Sequence, residues 1–214
     1  MRDLIIYGAG GFGRETALMI RQINAHKPTW NVIGFCDDRL RKGEIIHGLP
    51  LVGGMSELNT HAKPVAVAIA VADPTVRKGI RERIKSTVID FPVLIHPSAM
   101  TGDQERNRIE EGSIVTAGNI FTTDIHIKSF VIINLCCTIG HDVIIHEFCS
   151  VMPGCSLSGT VTLGPQVLVG TGASILPGLT VGEKSRVGAG AVVTQNVAPG
   201  QTVVGIPAKP VAAR

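Results

Sequence analysis

An apolar residue recurs at every sixth position through the second half of the chain. The run has fifteen members without insertion or deletion, here called the markers: Ile109, Val115, Phe121, Ile127, Ile133, Ile139, Ile145, Val151, Leu157, Leu163, Val169, Ile175, Val181, Val187 and Val193. This period does not match the period of about 3.6 residues of an α-helix, and recurrent glycine would weaken a helix. It is typical of a β-solenoid in which each six-residue unit forms one short strand and a turn.

Three such units form one coil of a triangular solenoid, so residues 109–198 supply five coils with fifteen inward-facing markers. Four residues after most markers the side chain is small or β-branched, and Cys137, Cys149 and Cys155 occupy this position. We expect these cysteines to be buried as small hydrophobic residues. The repeat predicts a left-handed parallel β-helix, and we assign residues 93–214 to this domain.

The first half of the chain alternates between strand and helix patterns. Leu4–Tyr7 is a short apolar run that leads into a glycine-rich loop, and Val65–Val71 is almost continuously apolar, as in a strand buried on both faces. Asp73 followed by proline is a helix start signal. Residues 1–92 are therefore predicted to form a small Rossmann-like βαβ domain, about half the size of a full dinucleotide-binding fold.

Composition excludes several classes of protein. The net charge is only +3, 17% of residues are charged and 4% are aromatic, which argues against a nucleic-acid binder and against binding to an anionic membrane. No apolar run approaches the roughly 20 residues of a membrane-spanning helix, and the first residues lack a signal-peptide core. We expect a cytoplasmic protein. The five cysteines are an odd number and contain no CxxC pair, which favours reduced thiols and no zinc site built on cysteine.

Three motifs together resemble one known family. They are the six-residue array, the closing segment Gly205-Ile206-Pro207-Ala208-Lys209, and Gly8-x-Gly10-x-x-Gly13 with Asp37-Asp38. The chain resembles, from end to end, the bacterial sialic acid O-acetyltransferase and nucleotide-sugar N-acetyltransferase family. The resemblance implies a homotrimer that uses acetyl-CoA and a nucleotide-linked sugar, without a metal, in surface-glycan synthesis.

The glycine loop is the first candidate site. Gly8, Gly10, Gly11 and Gly13 follow a strand and open a helix, a context in which the backbone can approach a pyrophosphate. An acidic pair, Asp37-Asp38, follows the second predicted strand, near the place where a carboxylate contacts ribose. The loop alone is compatible with NAD or with a packing turn that binds nothing. The family resemblance implies a nucleotide-linked sugar.

The second candidate site lies in the repeat array. His141 is at or beside a turn and cannot point inward, and Asp142 follows it directly. A carboxylate can orient an imidazole and make it more basic, which suits a general base. The resemblance implies that His141, between neighbouring subunits of the trimer, takes a proton from the acceptor and that Asp142 polarises it. A solvated turn histidine is the alternative.

Further site residues come from the resemblance. Asn134 matches a family position near the acceptor, and Ser150 replaces a second histidine that some relatives carry, so it would bond the substrate. Gly159 lies 18 residues, or one coil, after His141, where a backbone N–H would contact the thioester carbonyl. The remaining contacts would bind the pantetheine and adenosine parts of acetyl-CoA: Gly205, Ile206, Pro207 and Lys209, with Lys209 or Arg186 near phosphate.

Other functions stay open on the sequence alone. We favour transfer to the amino group of a nucleotide-linked 4-amino-4,6-dideoxysugar, with O-acetylation of a sialic acid or another sugar as the alternative. The His141-x-x-x-x-His146 spacing, with His126 as a third ligand, also fits a zinc hydratase like the γ-class carbonic anhydrases, although we interpret His146 as a surface residue. A non-catalytic solenoid is the last alternative. The acceptor atom, the sugar and the base are not fixed by the sequence.

Overall fold

The computed structural model describes residues 1–103 and 105–211. The chain folds as two compact units, the first from Met1 to Pro97 and the second beginning at Ser98. Among the described residues, no helix has the length and apolar content needed to cross a lipid bilayer.

The first unit contains a twisted sheet with three helices. Its elements are β1 (Arg2–Tyr7), α1 (Gly11–His26), β2 (Trp30–Cys36), β3 (Ile45–Ile46), β4 (Leu49–Gly53), α2 (Met55–Asn59), β5 (Val65–Ile69), α3 (Pro74–Arg83), β6 (Ile89–Asp90) and β7 (Leu94–Ile95). The six-stranded sheet has the order β3-β4-β2-β1-β5-β6. All its pairs are parallel except β3 with β4, which is an antiparallel hairpin.

The central strands form because their apolar side chains are covered on both faces. Every residue of β5 is buried, as the continuous apolar run predicts. Helix α1 buries one face of small and apolar side chains, including Ala17 and Ile20. Helix α3 begins as predicted, because the Asp73 carboxylate accepts hydrogen bonds of 2.9 and 3.0 Å from the N–H groups of Thr75 and Val76.

The second unit is a parallel β-helix. It contains β8 (Arg108–Ile109), β9 (Ile114–Val115), β10 (Ile120–Phe121), β11 (His126–Ile127), β12 (Ile132–Ile133), β13 (Thr138–Ile139), β14 (Ile144–Ile145), β15 (Ser150–Val151), β16 (Ser156–Leu157), β17 (Thr162–Leu163), β18 (Leu168–Val169), β19 (Ser174–Ile175), β20 (Thr180–Val181), β21 (Arg186–Val187), β22 (Val192–Val193), β23 (Thr202–Val204) and β24 (Lys209–Val211). Each strand from β8 to β22 ends on a marker. Strands 18 residues apart pair in parallel register on three sheets, for example Ile133 with Val151.

The core of the β-helix is the column of markers. Every marker from Val115 to Val193 is buried, while Ile109 in the first coil is only partly so. Cys137, Cys149 and Cys155 are also buried, as predicted. Both parts of the predicted fold class, the Rossmann-like sheet and the left-handed β-helix, are confirmed.

Candidate functional site

The first candidate site lies at the carboxyl ends of β1, β2 and β5, where the parallel strands meet one edge of the sheet. Gly8 has a φ of +102°, and a Cβ there would lie 2.9 Å from the Ala70 carbonyl oxygen. At Gly13 a Cβ would lie 1.8 Å from the Gly8 carbonyl oxygen. Gly8 and Gly13 are therefore required for packing, whether or not a ligand binds.

Gly10 and Gly11 differ, because nothing lies within 4 Å of a Cβ built at either position. Gly10 caps α1, a helix of 16 residues that has no side-chain cap at its start. The first-turn N–H groups of such a helix favour an anion. Gly10 lines a cavity of about 380 Å³ with Arg14 and Arg39, so this part of the loop can receive a phosphate group.

Asp37 acts partly as a structural residue. It is 6% exposed, and its carboxylate accepts hydrogen bonds from the Ala9 N–H at 3.1 Å and the Arg39 N–H at 3.0 Å. The side chain therefore ties the end of β2 to the glycine loop. Asp37 still lines three adjoining cavities at this edge, which we name together the edge cavities.

Asp38 is the more accessible acidic residue. Its carboxylate accepts hydrogen bonds from the Met55 N–H at 2.7 Å and from Arg83 Nη2 at 2.9 Å. Partial burial alone would raise the pKa of Asp38, but these bonds and the Arg83 charge hold it below its usual value. The carboxylate is therefore charged at neutral pH and is fixed in one orientation.

The second candidate site is the turn between β13 and β14. His141 Nδ1 lies 2.8 Å from Asp142 Oδ2, and both side chains are more than half exposed. Asp142 has a φ of +58°, and its N–H donates to the Thr123 carbonyl oxygen one coil away. The carboxylate thereby fixes the orientation of the ring and leaves Nε2 for a ligand.

Gly159 lies under the imidazole. A Cβ built at Gly159 would be 2.5 Å from both Cε1 and Nε2 of His141, so the ring occupies the space that any side chain would need. Among the described residues, no acceptor is hydrogen-bonded to the Gly159 N–H. His141, Asp142 and Gly159, which the sequence places on neighbouring coils, are thus in contact.

The sequence reasoning missed a third charged group at this corner. Asp124, 18 residues before Asp142, accepts hydrogen bonds from Thr123 Oγ1 at 2.9 Å and Arg106 Nη1 at 3.2 Å. The Thr123 bond and then Arg106 lower the pKa of Asp124. The coil period of 18 residues was the signal that could have identified it.

Asn134 and Ser150 are less accessible than their predicted roles require. Asn134 is 7% exposed, and its Oδ1 accepts a 2.8 Å hydrogen bond from the Leu135 N–H. Ser150 is the first residue of β15 and has no exposed surface, since strands β12 and β18 flank it. The expectation that Ser150 contacts a substrate is therefore wrong for the chain in this conformation.

The predicted acetyl-CoA residues near the carboxyl end lie in and beside the β23–β24 hairpin. Gly205 has a φ of +91° and accepts a hydrogen bond from the Val192 N–H, while the Ala208 N–H donates to the Val192 carbonyl oxygen. These bonds attach the hairpin to β22. Ile206, Pro207 and Lys209 remain exposed or partly so, with Ile206 at 76%, and Arg186 is exposed on β21.

The histidines of the zinc alternative are engaged elsewhere. His126 Nε2 lies 2.8 Å from Glu110 Oε1, and His146 Nδ1 lies 3.7 Å from Glu147 Oε2. Within residues 1–103 and 105–211, no three His, Cys, Asp or Glu side chains are grouped so as to hold a metal ion. A zinc hydratase would need such a group.

Comparison with known proteins adds to this geometry. Residues 3–84 match the family described as the PglD N-terminal domain. A GDP-perosamine N-acetyltransferase of Escherichia coli O157:H7 is 29% identical over 159 residues, which cover 74% of this chain and 71% of the relative.

Two solved structures extend the similarity to the whole chain. The acetyltransferase domain of PglB from Neisseria gonorrhoeae FA1090 is 33% identical, with 99% of this chain and 100% of that chain covered and a TM-score of 0.90. The same domain is also known in complex with acetyl coenzyme A.

The perosamine N-acetyltransferase of Caulobacter crescentus, solved with CoA and GDP-perosamine and with one histidine replaced by asparagine, is 26% identical. The match covers 100% of this chain and 98% of that one, with a TM-score of 0.85. Both units of the chain are therefore shared with these enzymes. The chain belongs to the bacterial sialic acid O-acetyltransferase and nucleotide-sugar N-acetyltransferase family of hexapeptide-repeat acyltransferases.

Proposed function

We propose that the protein transfers the acetyl group of acetyl-CoA to the amino group of a nucleotide-linked sugar, a 4-amino-4,6-dideoxysugar used in bacterial surface glycans. The observation that carries this proposal is the match, over both units, to an enzyme solved with CoA and GDP-perosamine. The two candidate sites supply the matching parts, an anion-binding edge in the first unit and an oriented histidine in the second.

The nucleotide binds at the edge cavities. The diphosphate lies against Gly10 and Gly11, where the helix start and Arg14 favour negative charge. Gly8 and Gly13 keep the loop in the shape that permits this approach. Asp37 holds the loop to β2, and the edge cavities on either side of it receive the nucleoside.

Acetyl transfer takes place at His141. Nε2 accepts a proton from the acceptor amine as its nitrogen attacks the thioester carbonyl carbon, while Asp142 holds Nδ1. The carbonyl oxygen becomes an oxyanion that the Gly159 N–H stabilises. The C–S bond then breaks, CoA leaves as the thiolate, and the amide forms without a covalent acyl-enzyme.

Acetyl-CoA contacts the β-helix and its carboxyl-terminal hairpin. The exposed residues Ile206, Pro207 and Lys209 lie beside the outer edge of β22, where Gly205 permits the turn. Lys209 supplies a positive charge for a phosphate of CoA. Asn134 lines the acceptor side through what remains exposed of its amide.

We also propose that the active form is a homotrimer, as the family resemblance implies. His141 and Asp142 are more than half exposed in the single chain, so they lack the second wall that would exclude water. Sedimentation equilibrium should give the mass of three chains. A monomer that is fully active would contradict this proposal.

Thiol release from acetyl-CoA tests the proposed reaction. The acceptors are UDP-, GDP- and dTDP-linked 4-amino-4,6-dideoxysugars, and the variants are wild type, His141→Ala and His146→Ala as a matched control. We expect release with at least one acceptor, a loss of at least about 100-fold in His141→Ala, and near wild-type activity in His146→Ala. Equal activity of His141→Ala and wild type would exclude His141 as the base, and silence with every acceptor would contradict the assigned reaction.

A further inference from the structure

One of the edge cavities contains a buried hydroxyl group without a hydrogen bond. This cavity, which we call the Tyr7 cavity, has a volume of about 380 Å³ and is lined by Tyr7, Gly8, Asp37, Asp38, Arg39, Val71, Val76, Ile80 and Arg83. Tyr7 is 3% exposed, and its hydroxyl is the one buried side-chain polar atom among the described residues that lacks a partner. The hydroxyl lies near the Asp38 carboxylate without reaching hydrogen-bond geometry.

An unpaired buried hydroxyl is costly, and native proteins rarely retain one without a use. Tyr7 is the last residue of β1, so its side chain is held by the central strand rather than by a loop. Burial raises the pKa of Tyr7 above its ordinary value, and the Asp38 carboxylate raises it further. The group therefore remains a protonated hydrogen-bond donor at any physiological pH.

The rest of the Tyr7 cavity has the chemistry of a flat heterocycle site. Val71, Val76 and Ile80 provide apolar surface, and Val76 is 51% exposed although it is apolar. Arg83 and Tyr7 provide donors, and Asp38 provides an acceptor between them. Each Asp38 oxygen accepts one hydrogen bond, from Met55 or Arg83, and keeps a second lone pair for a ligand.

We propose that the Tyr7 cavity binds the nucleotide base, with the Tyr7 hydroxyl donating to a carbonyl oxygen of the base and the Asp38 carboxylate accepting from the adjacent ring N–H. Uracil, thymine and guanine present this carbonyl and N–H pair. Cytosine and adenine present an amino donor in place of the carbonyl and an unprotonated ring nitrogen beside it. The cavity therefore selects keto bases over amino bases. This inference rests on the proposed function, because it assumes that the first unit binds a nucleotide.

Calorimetric titration of UDP, GDP, CDP and ADP into the full chain tests the selection. We expect UDP or GDP to bind about 100-fold more tightly than CDP and ADP, because an amino base would set donor against donor and leave Asp38 facing a lone pair. Equal affinities for keto and amino nucleotides would overturn the proposal.

The variant Tyr7→Phe removes only the hydroxyl. We expect it to weaken binding of the preferred keto nucleotide about 10-fold and to leave CDP and ADP unchanged. The melting temperature of the free variant should equal or exceed that of wild type, since an unpaired polar group is lost. Thr29→Val, which removes a hydroxyl beside the amino-terminal end of β2, is the matched control and should bind as wild type does.

Two outcomes separate this inference from the proposed function. Wild-type affinity of Tyr7→Phe, in an enzyme that acetylates a nucleotide sugar, would overturn the role of Tyr7 and leave the proposed function intact. Failure of every nucleotide to bind, together with no thiol release, would overturn both.

Discussion

At the scale of single residues, the catalytic turn depends on an absent side chain. The His141 imidazole lies where a Cβ of Gly159 would be, and Gly159 has no positive φ that would itself require glycine. The glycine is therefore explained by the ring above it. The pair illustrates how two residues one coil apart make one site.

Gly159→Ala tests this dependence. The new Cβ would displace the exposed imidazole, so we expect kcat to fall about 100-fold while the melting temperature stays close to that of wild type. Adding His141→Ala should cause no further loss, because both changes remove the same group. Gly79→Ala, where no atom lies within 4 Å of the added Cβ, is the control and should retain activity. Full activity of Gly159→Ala would show that the ring position is unimportant.

The residue scale is also where the sequence is least informative. His141, Asp142 and Gly159 could be predicted because their spacing equals one coil. Tyr7 could not, since an unpaired hydroxyl is a property of three-dimensional packing. The burial of Ser150 was hidden for the same reason, because a residue that directly precedes a marker is exposed at some coils and enclosed at this one.

At the scale of secondary-structure elements, glycine after a marker has a packing role. A Cβ at Gly164 would lie 2.7 Å from the Glu183 backbone nitrogen, and Gly140, Gly170 and Gly182 meet the next coil in the same way. Backbone cannot move aside as a side chain can. These glycines therefore allow the coils to stack at strand-pairing distance.

Gly164→Ala should destabilise the β-helix by about 1–3 kcal/mol, because the methyl group would overpack two paired coils. Urea unfolding followed by far-ultraviolet circular dichroism measures the change. Thr162→Val, a nearly isosteric change on β17, is the control and should alter stability by less than about 0.5 kcal/mol. A Gly164→Ala protein as stable as wild type would contradict this packing role.

The strands of the β-helix could all be predicted, because one period repeats without interruption and each strand ends on a marker. The β3–β4 hairpin and α2 were not predicted. Both are short and occur once, so no period reveals them, yet Met55 of α2 holds Asp38. Periodic elements are visible in a sequence, and single short elements that position site residues are not.

At the scale of the whole molecule, the two units divide the chemistry. The first carries the edge cavities and the second carries His141 over Gly159. The aliphatic core of the second unit reports only folding. The cysteines add no chemistry to this division, because four of five are buried and desolvation raises the pKa of Cys36 to about 12.

The most direct test is to identify the acetylated atom. Carbon-13 acetyl-CoA is incubated with the accepted nucleotide-linked 4-amino sugar, and the product is analysed by nuclear magnetic resonance. The account predicts one new acetamide on the sugar amine, formed by wild type and not by His141→Ala. An acetyl ester on a sugar hydroxyl would contradict it and favour O-acetylation, and an unmodified sugar would contradict the transfer itself.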